Sequence, residues 1–65
     1  MITISTRASQ LRNNDKILMV DGLVTVTDFK MNFREDIVTF TATKKDGSAS
    51  QRWVEMSQIV NKVTS

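Results

Sequence analysis

Lys45-Asp46-Gly47-Ser48 lies between Ile37–Thr43 and Gln51–Met56, two runs in which apolar and polar residues alternate. Asp-Gly supplies the backbone conformation that a tight reversal needs. Alternation on both sides is the pattern of paired strands with one buried face. The stretch therefore predicts an antiparallel hairpin at the centre of the chain. Val38, Phe40 and Ala42 share one face of its first strand, and Thr39, Thr41 and Thr43 share the other. Two registers are open. A two-residue turn at Asp46-Gly47 sets Phe40 opposite Trp53. A three-residue loop, Lys45–Gly47, sets Val38 opposite Val54 and Trp53 opposite Thr39. The second keeps Val38, Phe40, Val54 and Met56 together on one face, and it is the register we expect.

The same logic extends in both directions. Met19-Val20-Asp21-Gly22-Leu23 is a second turn, joining the apolar run Lys16–Val20 to Leu23–Thr27, where Val24 and Val26 share a face. Met1–Ser5 alternates weakly and suits a short edge strand, and Ser5 or Thr6 suits the cap of a helical turn reaching Arg12. Asn13-Asn14-Asp15 is turn chemistry, because Asn and Asp tolerate left-handed backbone and bond to it through their side chains. Asp28–Asp36 is the least regular stretch and is expected to be a loop or a bent strand end. A helical turn over Ser57–Ile59 and a last strand over Val60–Val63 close the chain.

With 65 residues this is one domain, 1–65, divided into an N-terminal segment 1–14 and a strand-bearing body 15–63. A chain of this size buries only about 60% of its unfolded surface. With no Cys and no His, neither a disulfide nor zinc is there to reinforce it. The lack of Cys suits a reducing compartment. No apolar run approaches the roughly 18–20 residues of a membrane span. Arg7 and Arg12 follow the apolar start, the reverse of a signal peptide. The expected location is the cytoplasm, of a cell or of a virus-infected host cell, with no membrane partner.

Five or so strands within about 50 residues are too few for an ordinary sandwich, and closure into a small barrel hides edges that otherwise aggregate. Residues from about 11 to 63 resemble the small SH3-like barrels, the group that includes KOW, Tudor and Sm-like modules. The resemblance is carried by Leu11 to Asp15, the strand and turn Lys16–Gly22, Val24–Thr27, the hairpin Ile37–Met56, and the turn Ser57–Ile59. It implies an all-β, five-stranded, SH3-like antiparallel barrel with a short N-terminal helical turn. The KOW glycine pattern is missing, and the resemblance implies no function.

Function has to be read from side chains. His, Tyr and Cys, frequent proton carriers and nucleophiles, are absent. Glu35-Asp36 would point to opposite faces of a strand, and Asp15, Asp21 and Asp46 read as turn residues. Nothing resembles a phosphate-cradling glycine loop. We therefore expect no catalytic residue, metal site or cofactor: a binding protein and not an enzyme.

Nine basic and seven acidic residues leave a formal charge of +2, weak for a dedicated nucleic-acid binder. The candidate contact residues are Lys30, Arg34, Lys44, Lys45 and Arg52, with Trp53 or Phe33 as a stacking platform. Arg7, Arg12 and Lys16 would extend the patch. Against this stands the plain reading of solubilising charges. Trp53 is either a core residue or an exposed contact, and the sequence leaves both open. Phe29, Met31 and Phe33 alternate with polar residues and suit either the core or a self-association surface, which would make the protein a homo-oligomer. The expectation is a small non-catalytic binding module, associated with nucleic acid or docking on a nucleic-acid-handling protein. The alternative is a small protein-interaction factor, such as a virus-encoded inhibitor or a phage accessory subunit.

Overall fold

The computed structural model describes residues 1–64. It contains β1 (Thr3–Arg7), β2 (Lys16–Met19), β3 (Gly22–Asn32), β4 (Ile37–Lys44), β5 (Ala49–Glu55) and β6 (Ile59–Val63), with one 3-10 turn, Ala8–Gln10, between β1 and β2. Every strand pairing is antiparallel, in the order β1-β6-β2-β3-β4-β5. The chain is all-β, as expected, but it has six strands in a sheet that is not closed by hydrogen bonds. β1 and β5 each have a single strand neighbour.

The sixth strand comes from the N-terminal segment. Thr3, Ile4 and Thr6 favour extended backbone, and pairing with β6 from Thr3↔Val63 to Arg7↔Ile59 holds the chain straight through Arg7. The helical turn expected to begin at Ser5 or Thr6 is thus reduced to Ala8–Gln10.

The central hairpin has the three-residue loop, with Val38↔Val54 and Thr39↔Trp53. Lys44 N–H donates to the Ser48 carbonyl at 2.8 Å, and Gly47 N–H donates to the Lys44 carbonyl at 3.0 Å. Gly47 has φ +90°, which a residue with a Cβ adopts only with strain. The Asp46 carboxylate accepts from Ser48 N–H at 2.9 Å and from its hydroxyl at 2.7 Å. These bonds hold the Asp46 carboxyl below its ordinary pKa.

Asp28–Asp36 is more ordered than its pattern suggests, because β3 runs on to Asn32. The ladder passes from Thr27↔Thr41 to Lys30↔Thr39, so one extra residue is accommodated on β3. Asp28 takes φ +52° at this bulge, which bends the strand. The Phe29 N–H donates to Asn13 Oδ1 at 2.9 Å. Only 33–36 are left as the β3–β4 turn. At the other end of the chain, 56–58 form a turn and not a helix, with Gln58 N–H donating to the Glu55 carbonyl at 3.0 Å. Ile59 already belongs to β6.

The core is Ala8, Leu11, Ile17, Val24, Val26, Val38, Phe40 and Ala42, with Met19, Phe29, Val54, Met56 and Val60 packed against it. All lie on one side of the sheet or on the N-terminal turn that covers it. Three backbone bonds tie the connections together around this core. Ala8 N–H donates to the Gln58 carbonyl (2.8 Å), Ser9 N–H to that of Met56 (3.1 Å), and Met56 N–H to that of Asp36 (3.0 Å). Among the described residues no helix is long and apolar enough to cross a membrane.

Candidate functional site

Side chains alternate along β4, so burying Val38, Phe40 and Ala42 turns Ile37, Thr39, Thr41 and Thr43 away from the core. On β5 these face Glu55, Trp53, Gln51 and Ala49. On β3 they face Asn32, Lys30, Thr27 and Thr25. The result is an outer face built largely of threonine, with one aromatic ring on it. Trp53 is 65% exposed, because among the described residues no second layer packs over this side. Beside it lies a shallow pocket of about 380 Å³ lined by Glu35, Ile37, Thr39 and Trp53.

Lys30, Thr39 and Trp53 form one row across three strands. Two strand spacings separate the Lys30 and Trp53 backbones by about 10 Å, a gap their long side chains together can span. The bulge at Asp28 creates this row. Without the extra residue, Lys30 would face Val38 on the core side and Phe29 would sit opposite Thr39 in its place.

The other basic candidates do not join Trp53. Arg52 is opposite Phe40, and Lys44 is opposite Val24, so both project on the core side of the sheet, near its rim. There they converge on one carboxylate, with Arg52 Nη2 2.8 Å and Lys44 Nζ 3.1 Å from Asp21 Oδ2. Arg52 Nε also donates to Ser50 Oγ at 3.1 Å. The Lys44 hydrogen bond is the largest cause holding the Asp21 carboxyl below its ordinary pKa. A backbone bond and the charges of Lys44 and Arg52 add to it, and desolvation partly opposes it. Pairs this exposed contribute little stability. Their consequence here is geometric, because they tie the β2–β3 turn to the β4–β5 hairpin.

Lys45 is exposed at the hairpin tip, and Arg34 is exposed in the β3–β4 turn. Lys16 faces Thr25 at a corner of the outer face. Arg7 is exposed on β1, at the far edge of the sheet from β5, and Arg12 is exposed in the segment before β2, lining a shallow pocket with Phe29 and Met31. Phe29, Met31 and Phe33 do not make one stripe: Phe29 packs on the core, Met31 sits opposite Val38 near the end of β3, and Phe33 stands 76% exposed in the turn.

Two features escape the sequence. Asp21 is the shared partner of Lys44 and Arg52, although Asp21-Gly22 reads simply as turn chemistry. Leu18 and Ile59 are exposed beside the fully exposed Val20, around a groove between β2, β5 and β6. Among the described residues no three His, Cys, Asp or Glu side chains cluster to hold a metal ion. No family model matches the chain, and no curated protein or solved structure matches it significantly.

Proposed function

We propose that this protein is a small non-catalytic docking module that takes a protein ligand on the outer face of β3, β4 and β5, with Trp53 at the centre of the contact. The observation that carries this reading is an indole 65% exposed on a threonine-rich face. A large exposed ring with a polar edge, set on a face of threonines, is the surface chemistry of a protein–protein hot spot. Charge placement favours a protein over nucleic acid. Lys44 and Arg52 project on the other side of the sheet and share Asp21 as an ion-pair partner, Glu35 lines the pocket beside Trp53, and Glu55 shares its face. Carboxylates next to the stacking ring would repel phosphate. In the same reading the sheet curls into an SH3-like barrel. The strand order β6-β2-β3-β4-β5 supports this, as does the Arg52–Asp21 pair reaching from β5 to the β2–β3 turn.

Nucleic-acid binding is the second reading. It is favoured by Lys30 in the row of Trp53 and by Arg34 beside the exposed Phe33. Trp53 is the sole tryptophan, so its fluorescence separates the two. Selection of a random peptide library against the wild-type protein should yield binders that shift Trp53 emission to the blue and fail on Trp53→Ala. Single-stranded DNA and RNA should leave the emission unchanged at about 50 mM salt. Oligonucleotide quenching that fades by about 200 mM salt would establish the second reading instead. Peptides that bind Trp53→Ala as well as wild type would remove the first.

A further inference from the structure

β1 is a free edge, and nothing in Met1–Thr6 protects it. Those six residues contain no charged side chain, no Pro and no Gly. Edge strands ordinarily carry such features because an open row of backbone donors and acceptors invites another strand. The opposite edge, β5, carries charge at Arg52 and Glu55, whereas on β1 charge is confined to the last residue, Arg7. Ile4 on β1 is 50% exposed, and Ile2 and Met1, just before it, are 62% and 76% exposed. These side chains pass beyond the core and stay exposed among the described residues.

The backbone shows which groups are free. Thr64 N–H donates to the Ile2 carbonyl, and Ala8 N–H to the Gln58 carbonyl, each at 2.8 Å. Both pairs continue the register of β1 against β6. In an antiparallel ladder, bonded and non-bonded pairs alternate. Ile4 and Thr6 therefore bond to β6 as well, while Thr3, Ser5 and Arg7 turn their N–H and C=O groups outward.

We infer that β1 pairs with β1 of a second copy across a two-fold axis through Ile4, making one continuous sheet of two chains. In this register Thr3 of each copy faces Ser5 of the other, so the outward-facing groups meet as bonded pairs. Ile4 faces its own copy on the axis, and Ile2 faces Thr6, which gathers four isoleucines on one side. The first charged side chain, Arg7, falls opposite Met1. From Ile2 to Thr6 the edge is uncharged, so over that span it matches itself without apposing like charges, which is why a second copy is the occupant; the one charged side chain of β1, Arg7, lies at the ends of the paired stretch. Lys62, the residue opposite Ile4 on β6, does not oppose this, because its ammonium is drawn to Asp15 at 3.6 Å. The surface is separate from Trp53, so the two proposals stand or fall independently.

The chain has no cysteine, which makes single-thiol variants clean probes. Cα atoms of a non-bonded antiparallel pair lie about 4.5 Å apart, within the roughly 4.4–6.8 Å range of a disulfide. Ile4→Cys should therefore oxidise to a covalent dimer under mild conditions. Ile2→Cys should not, since its partner thiol would lie about 14 Å away along the strands. By sedimentation, the wild-type mass should rise from 7.4 kDa toward twice that value as concentration increases. Ile4→Lys, which puts two ammonium groups on the axis, should weaken association at least about tenfold, with an unchanged far-UV circular dichroism spectrum. Trp53→Ala should leave the mass unaltered. A wild-type protein monomeric up to about 1 mM, well above the affinity of a specific pair, would overturn the inference. So would a dimer that survives Ile4→Lys, or equal cross-linking of Ile2→Cys and Ile4→Cys.

Discussion

Val38→Ala tests the burial pattern on which both the fold and the exposed face depend. Val38 is fully buried on β4, between Met31 on β3 and Val54 on β5. The substitution removes two methyl groups, each worth about 0.8 kcal/mol of transfer free energy. The surrounding side chains fill the gap only in part, so the expected loss is about 2–3 kcal/mol. A chain of this length has about 3–10 kcal/mol of stability in all. The variant should fold, but only just. At about 4–8 °C per kcal/mol, Tm should fall by roughly 10–20 °C. With a urea slope near 1 kcal/mol per molar, the midpoint should drop by about 2 M. Circular dichroism is the suitable probe, because Trp53 is largely hydrated before unfolding begins. Gln51→Ala, on the exposed outer face of the neighbouring strand, is the control and should change stability by no more than about 0.5 kcal/mol. Equal effects of the two substitutions would refute the assignment of faces. A hairpin slipped by one residue would produce that result.

Three further outcomes are expected of the same structure. Trp53 emission should lie near that of a fully hydrated indole and be readily quenched by acrylamide; a blue-shifted, protected emission would place the ring in the core. Gly47→Ala should cost about 1–2 kcal/mol in a denaturant titration, because a Cβ at φ +90° is strained even though nothing lies within 4 Å of it. An unchanged midpoint would mean that the loop adopts another turn. The carboxyl pKa values of Asp21 and Asp46 are lowered by folding. Their contribution is therefore present above the ordinary carboxylate range and is lost as pH falls through the lowered values, below about 4. Melting curves between pH 7 and pH 2.5 should show a shallower acid decline for Asp21→Asn than for wild type, and identical slopes would contradict the pairing of Asp21 with Lys44 and Arg52.

What was legible in the sequence depended on neighbouring residues. Asp46-Gly47, with the packing of Val38 and Phe40 against Val54 and Met56, suffices to set the register of the β4–β5 hairpin, since turn geometry and side-chain alternation act within about ten residues. The β2–β3 hairpin is legible for the same reason, although Val20 falls in the turn and not at the strand end. Asp28–Asp36 was not legible. Its alternation is shifted by the bulge, and a bulge is stabilised by what surrounds it, here Asn13 accepting from the Phe29 N–H.

The candidate site divides along the same line. That Trp53 shares a face with Gln51 and Glu55 follows from strand alternation alone. That this face is open was decided by tertiary structure, because exposure depends on whether another layer covers it. The apparent basic cluster of Lys44, Lys45 and Arg52 is contiguous only along the chain. Alternation and the approach of Asp21, 31 residues from Arg52, send two of the three to the other side of the sheet. The placement of β6 between β1 and β2 is likewise a property of the whole molecule. It brings residues some 40 to 60 positions apart into register, and no local preference encodes a pairing whose loop-closure entropy is offset only once the core has formed. Local chemistry thus placed the two hairpins and the side chains that share a face within them; the packed sheet decided the course of 28–36, which faces are covered, which charges are paired and which edges stay open.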